Sequence, residues 1–457
     1  MEESALLKRV REIEGYNSLY NDTILGIPLW RIVRFHTRLY YITSQTGYIS
    51  ASPTSPMLGE SRIHIFSGFN KFKSKHNLSL FFPFNRLVYS NGRYLDKFID
   101  PVISESSLNT DNYVIIDPPR YVGNYDREHK TQTIDNESRS LIQQLLNYYF
   151  RCLTPIFYGK AIRHLFSKAQ TAFDLPDDFI SRYYKLTSLF LAKYYYYLYW
   201  FKKIKPRRVF VVYREGYFAQ IAACKKLGIP VAEFQHGITL DDTVSFAGEY
   251  DQRIDPDYFL VFGDYWKGPQ FGMPLDRIVN IGWAYSKYLQ KNIAQNAEKH
   301  VNEILVISSP EISDNILDAL KAISEADGNY SFDIRLHPCE SYNEQQKQKL
   351  NAIPKAQVVD NKTDSALVLP TYKYVVGENS SVIYEALSVG CKVGMLNLCG
   401  LRPAIDLPGI KENFFVINDA KDFEQFLSED ESSSASKAEF YSDFDSEAFM
   451  NFIKEKM

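Results

Sequence analysis

Four short stretches place chemistry-bearing side chains directly at the ends of apolar runs. They are Arg214-Glu215 after RRVFVVY, Gln235-His236-Gly237 after IPVAEF, Arg335-Leu336-His337-Pro338 after SFDI, and Glu378-Asn379-Ser380-Ser381 after YKYVVG. A short Val/Ile/Phe-rich run closed by polar or turn residues reads as a strand buried on both faces. Ligands of open parallel α/β sheets bind beyond the carboxyl ends of the strands, so all four stretches fall where a ligand would sit. Ser380 or Ser381 is expected to cap the helix that begins at SVIYEAL. Its free backbone N–H groups, dipole and hydroxyls would act together on a phosphate. Glu385, one turn in, is placed to accept from sugar hydroxyls, and equally to close a capping box. Pro338 stops its strand at His337, which could donate to a phosphate oxygen and, if protonated, neutralise a leaving group. Arg335 alternates with apolar residues on the same strand. Gly237 would let the backbone turn sharply, so that Gln235 and His236 project from the sheet edge towards an opposing domain. A carboxylate base or nucleophile is sought next to these. Glu215 follows its strand directly and is preferred, and Asp241 is the alternate; Glu233 and Asp242 flank the same edge. Each of them, taken singly, reads more readily as an ordinary solvated loop carboxylate.

The elements that must position these groups follow from the alternation of patterns. RRVFVVYREG, YFAQIAACKKLG, IPVAEFQHG and PDYFLVFGDYW read as strand, helix, strand, strand. A second series begins near residue 300: NEILVISSP, SDNILDALKAISEADG, SFDIRLHP, AQVVD, YKYVVGENS, SVIYEALSVG and CKVGMLNL. RIHIFSG and NYVIIDPP are earlier strands, and two long helices are expected at about 135–168 and 177–202. The fold class is therefore α/β, two Rossmann-like domains in tandem. The expected organisation is a helical lead-in at 1–60, a first domain at 61–285 with a long helical insertion, a second at 286–437, and a final helix at 438–457.

The spacing of RLHP, about 40 residues, then GENSSVIYE resembles the nucleotide-binding half of bacterial glycosyltransferases of the two-Rossmann GT-B architecture. It is closest to the capsule, lipooligosaccharide and polysialic-acid transferases that use CMP-activated acidic sugars. The resemblance implies that His337-Pro338 and Ser380-Ser381 hold the donor phosphate and that Glu385 holds the ribose. QHG at 235–237 resembles the Kdo- and nonulosonate-transferase branch, which implies a role for His236 towards the sugar carboxylate or in proton transfer. The implied activity is transfer of a 2-keto acidic sugar to a glycan or lipid-linked glycan acceptor in surface-polysaccharide assembly. Similar elements occur in CDP-glycerol polymerases. A polyol-phosphate transferase, a UDP- or GDP-hexose transferase, a sugar-nucleotide epimerase and a non-catalytic nucleotide-binding scaffold therefore stay open. NGRYLDKFIDPVI, 91–103, also resembles surface-polysaccharide proteins, with no chemistry assigned.

Bulk properties narrow the classes. A formal net charge of −3 gives no global field to recruit nucleic acid. Five scattered cysteines without a CxxC pair point to a reducing, cytoplasmic compartment and away from zinc. The amino terminus lacks an apolar signal core, and no uninterrupted apolar run of about 20 residues occurs. KKIKPRR, 202–208, follows a tyrosine-rich helix and suits peripheral contact with an anionic membrane, or a solvated loop. DPD at 255–257 matches a metal-binding DxD but precedes its strand, at the wrong edge. Metal-independent chemistry with no cofactor beyond the nucleotide-sugar donor is expected.

Overall fold

The computed structural model describes residues 9–10, 12–15, 18–46, 67–72, 77–84, 87–90, 92–117, 126–134, 140–237, 250–267, 273–292, 300–310, 312–326, 330–337, 340–361, 363–378, 380–398, 414–428 and 440–457. The expected strand at RIHIFSG, the SPTSP break and the Ser/Glu-rich 429–437 stretch lie outside these, apart from Ser67 and Gly68.

The first sheet has seven parallel strands: β1 (Ser79–Phe82), β2 (Tyr113–Ile116), β3 (Thr133–Ile134), β4 (Arg208–Val212), β5 (Val231–Phe234), β6 (Tyr258–Val261) and β7 (Ile278–Asn280). Their order is β7-β6-β5-β4-β1-β2-β3. The second sheet has six: β8 (His300–Ile307), β9 (Ser331–Arg335), β10 (Ala356–Val358), β11 (Tyr372–Gly377), β12 (Lys392–Leu396) and β13 (Phe415–Ile417), in the order β10-β9-β8-β11-β12-β13. Both orders run outwards from the first strand in one direction and then from the fourth in the other, which is the doubly wound order. The chain thus has the two Rossmann-like domains read from its alternation, in the GT-B-like arrangement that the resemblance implied. The strands are nearly all buried runs of Val, Ile, Leu and Phe, as sheets covered on both faces require. β1, central in its sheet, arises from SLFF, a run the sequence reading passed over.

The long helices are α3 (Leu141–Phe173), capped by Ser140, and α4 (Ile180–Ile204), which pack as an antiparallel pair. The amino-terminal helix α1 (Leu29–Thr46) is more than a lead-in. Trp30 and Val33 are fully buried in the first domain's core, and Trp30 stacks on Phe173 at 5.6 Å. The final helix, α12 (Ser446–Lys456), returns to the first domain, where Phe449 packs on Phe210 and Phe234. Before it, Trp283 N–H donates to Ser442 O at 2.9 Å and Asp445 N–H to Ile281 O at 3.1 Å. Gly282, at φ +78°, lies so close to this tail that a Cβ would stand 2.1 Å from the Asp443 carbonyl oxygen. An aromatic cluster joins the domains: Trp266 of the first contacts Tyr384 of the second at 5.6 Å, and Phe440 touches both.

Candidate functional site

The two switch points build the site. In the second sheet Ile307 is paired level with Arg335 on one side and Gly377 on the other. Three adjacent strands therefore end together, about 5 Å apart. They release Ser308, His337 and Glu378 at one edge. Helix α10 (Ser381–Ser388) starts there, with the Ser380 side chain accepting from Val382 N–H at 3.3 Å. Ser380 and Ser381 are half-buried at this edge, and Glu378 is buried beneath it.

Glu340 shapes the neighbouring loop, a role the sequence reading missed. Its Oε2 accepts from His337 N–H at 2.9 Å, and its Oε1 accepts from the Ser308 and Ser313 hydroxyls at 2.7 and 2.6 Å. Its own N–H donates back to His337 O at 2.8 Å. The reciprocal i, i+3 closure in His-Pro-Cys-Glu is the signal that could have pointed to it. The His337 side chain is exposed. Pro338 and Asn379 lie outside the described residues.

Arg335 is not presented to a ligand. Its guanidinium is buried and donates to the carbonyls of Asp360, at 2.7 Å, and Thr363, which holds the loop after β10.

The first sheet contributes Phe84 after β1, Tyr213 after β4 and His236 after β5. Tyr213 sits at φ +71°, a strained conformation for an aromatic residue that costs on the order of 1–3 kcal/mol and concentrates at functional sites. His236 is held between rings, stacked on Phe84 at 5.2 Å and edge-on to Tyr213 at 5.0 Å. Burial, with the nearby cations of Arg214 and Lys97 adding, pushes its pKa down to about 3. At neutral pH it is an uncharged imidazole, able to donate or accept one proton in a hydrogen bond.

Gln235 does not reach the cleft. It is fully buried, with Nε2 donating to Gly237 O at 2.9 Å and Oε1 accepting from Phe262 N–H at 3.0 Å. It thereby joins the ends of β5 and β6. Gly237 is not forced by geometry either: its φ is not left-handed, and a Cβ there would meet nothing within 4 Å.

Glu215 is also drawn inwards. It accepts from Arg34 of α1 at 3.2 Å, both side chains being buried. Burial pushes its carboxyl up, while Arg34 and then Arg31 pull it back. The same network pairs Arg31 and Arg214 with Asp255, and Arg214 with Glu233 at 2.6 Å. The first Asp of DPD is thus an anchor for α1, and Asp257 pairs with Lys225 at 2.5 Å. Asp241 and Asp242 lie outside the described residues.

The sequence also gave no role to Lys97. It stands in the NGRYLDKFIDPVI segment and reaches across the cleft to Glu385 Oε1 at 2.8 Å; Ser365 Oγ lies 3.5 Å from the other oxygen. The turn that presents Lys97 is built by Asp96. Its carboxylate accepts from the N–H groups of Phe98 at 2.8 Å, Ile99 at 2.7 Å and, with the other oxygen, Phe84 at 2.6 Å. Asp100 and Asp117 are tied beneath by the buried Arg127. One construction thus positions both Lys97 and the ring that stacks on His236.

The structure therefore gathers His236 and Lys97 from one domain with Glu385 from the other, and puts His337, Ser380 and Ser381 along the adjoining edge. Among the described residues no cluster of His, Cys, Asp or Glu could hold a metal ion. A surface cavity lined by Lys225, Asp257, Arg277 and Lys456 opens at the opposite, amino-terminal edge of β5 and β6.

No protein-family model matches the chain, and no curated protein matches it. Solved structures that resemble it include a UDP-GlcNAc 2-epimerase from Neisseria meningitidis bound to UDP-GlcNAc, at 13% identity and a TM-score of 0.48, covering 83% of this chain and 99% of that one. Another is the UDP-GlcNAc 2-epimerase of Methanocaldococcus jannaschii, at 12% identity and 0.45, covering 82% and 98%. A third is the calicheamicin glycosyltransferase CalG4, at 10% identity and 0.41, covering 79% and 92%. At these values the description of the fold rests on the strand orders and registers above.

Proposed function

We propose that this chain is a nucleotide-sugar enzyme, a glycosyltransferase that moves a 2-keto acidic sugar of the Kdo, sialic or pseudaminic type from a CMP-linked donor to a surface-polysaccharide glycan or lipid-linked acceptor. The observation that carries the reading is the level ending of β8, β9 and β11. It brings the end of the strand leading to His337 level with the β8–β11 switch point where α10 begins, one strand away, and Lys97 of the other domain pairs with Glu385 of that helix. The N–H groups of α10 and the hydroxyls of Ser380 and Ser381 would take the donor phosphate. His337 would donate to the same group. Lys97 would exchange Glu385 for the donor's negative charge, freeing Glu385 for ribose hydroxyls.

In the reaction the bond between the anomeric carbon and the phosphate oxygen breaks, and CMP leaves with the electron pair. The acceptor oxygen forms the new bond and gives up its proton. With Glu215 in an internal ion pair, His236 and Asp241 are the remaining candidates to guide or accept that proton. The shift at His236 favours hydrogen-bonded orientation of the acceptor over outright proton capture.

A panel of CMP, CDP, UDP and GDP read by thermal shift tests the nucleotide, since a ligand of the native state raises its melting temperature. CMP should give the largest rise, lost in His337→Ala and in the Ser380→Ala, Ser381→Ala double variant. With a CMP-sugar and a glycan, the acceptor should gain the mass of one sugar residue. A gain of phosphate together with an alcohol would assign polyol-phosphate transfer. Conversion of donor without acceptor would assign an epimerase, and binding of UDP in place of CMP would move the donor class.

A further inference from the structure

The helical pair α3–α4 is charged and patterned unlike the rest of the molecule. α3 carries Arg151, Lys160, Arg163 and Lys168, and α4 carries five more Lys or Arg; neither helix has an Asp or Glu. The chain as a whole is net negative. The first half of α3 is also inside out. Leu141, Leu145, Tyr148, Cys152 and Ile156 recur at spacings of 4, 3, 4 and 4, so they lie along one line of the helix. That line faces outwards: Leu145 is 60% exposed, and Tyr148 and Ile156 are each 72% exposed. The opposite line, Gln143, Asn147 and Thr154, faces inwards. Gln143 Oε1, Asn147 Oδ1 and Thr154 Oγ1 reach no hydrogen-bond partner among the described residues. A helix that only covered a soluble core would have the reverse arrangement.

The apolar line runs about 24 Å along the helix. The same outer line then becomes cationic at Lys160 and Arg163, both exposed. α4 extends the surface sideways. Phe150 stacks on Tyr195 at 5.3 Å, the exposed Tyr199 lies one turn on, and Lys203 Nζ stands 4.6 Å over its ring. No described helix is long and apolar enough to cross a membrane.

We propose that this face lies on an anionic lipid bilayer, with the Leu145–Tyr148–Ile156 line in the acyl boundary and the exposed cations Arg151, Lys160, Arg163, Lys202 and Lys203 among the headgroups. Amphipathic helices with aromatic and aliphatic residues ringed by Lys and Arg bind in that manner, parallel to the surface. The charge fixes the occupant. A second copy of the face would bring two wholly cationic helix pairs together, whereas anionic headgroups complement them. The inference uses only α3 and α4, and it stands whatever the sugar-nucleotide specificity of the cleft.

The test is co-sedimentation of the full chain with phosphatidylcholine vesicles and with vesicles containing phosphatidylglycerol. Binding is expected to the anionic vesicles, with little to the neutral ones, and to fall at high salt. Tyr148→Glu with Ile156→Glu should lower partitioning by about tenfold or more. Lys202→Ser and Lys203→Ser should each lower it about fivefold, the factor for one cation near the surface. Melting temperature and circular dichroism confirm folding; if the Glu pair misfolds, Tyr148→Ser with Ile156→Ser replaces it. Absence of binding to anionic vesicles, or binding that ignores the apolar substitutions, overturns the proposal. So does a concentration-dependent dimer that Ile156→Glu converts to monomer, since it would give the face to a second copy.

Discussion

The ion pair between Lys97 and Glu385 joins residues 288 positions apart, from opposite domains, and its removal has a calculable effect. At 2.8 Å the gross attraction is roughly 6 kcal/mol at an effective dielectric of about 20. Most of this is offset by desolvation, since the Lys97 and Glu385 side chains keep only 16% and 7% of their exposure. A net coupling of about 1–2 kcal/mol remains for contacting groups of this kind. With domains of this size shifting about 2–4 °C per kcal/mol, Lys97→Met and Glu385→Gln should each lower the melting temperature by about 2–8 °C. Each single change leaves a partly buried partner uncompensated. The double variant should lose no more than the worse single one. The assay is a double-mutant thermal cycle without nucleotide, run at low and high salt; the limited exposure of the pair predicts weak salt dependence. Losses that simply add in the double variant would show that the two groups are uncoupled, and the cleft would lose its bridge.

Three further outcomes follow from the geometry. Between about pH 3 and the ordinary histidine value near 6.5, the unfolded chain binds a proton at His236 that the folded chain does not, so stability falls as pH drops through that window. His236→Phe should flatten the stability–pH slope there by up to one proton, about 1.4 kcal/mol per pH unit, as read by urea titrations at several pH values. Gly282→Ala should be severely destabilising, because its Cβ meets fixed backbone of the returning tail and its φ is positive, whereas Gly237→Ala should leave the melting temperature within about 1 °C. Arg34→Met should cost about 3 kcal/mol by stranding Glu215, and Glu215→Gln on that background should recover part of it. A Glu215→Gln variant that keeps its stability and loses only the proposed turnover would return Glu215 to the catalytic candidates.

The second domain was legible from β8 to β12, because β8, β11 and β12 are short apolar runs and helices of clear period separate several of the strands; β13 was not read. The same rule singled out His337, Ser380 and Ser381 as candidates, and the register of β8 with its two neighbours brings the ends of their strands level. β1 was missed because SLFF, cut short by Pro83 and set inside the brief run LSLFFPF, carries too little pattern to mark a central strand. Side-chain direction was legible only in part. Gln235 follows its strand as an exposed group would, yet the Phe262 amide beside it turns it inwards. Glu215 was drawn away by three arginines of α1, a pairing across about 180 residues that no local pattern encodes. Lys97 escaped for the same reason: its partner lies in another domain, and its turn is fixed by Asp96 accepting three backbone amides.

The returning tail gives the molecule a modular character. Ile281–Trp283 and Ser442–Asp445 are hydrogen-bonded side by side on the first domain, so the polypeptide leaves that domain and rejoins it at neighbouring points. Topologically the second domain is a guest spliced into its host. Replacing the stretch between α6 (Ala284–Asn292) and residue 440 with a short flexible linker should spare the seven-stranded sheet and its α12 cover. Grafting another six-stranded guest at the same junction offers a route to exchange the edge built by β8, β9 and β11 without rebuilding the host.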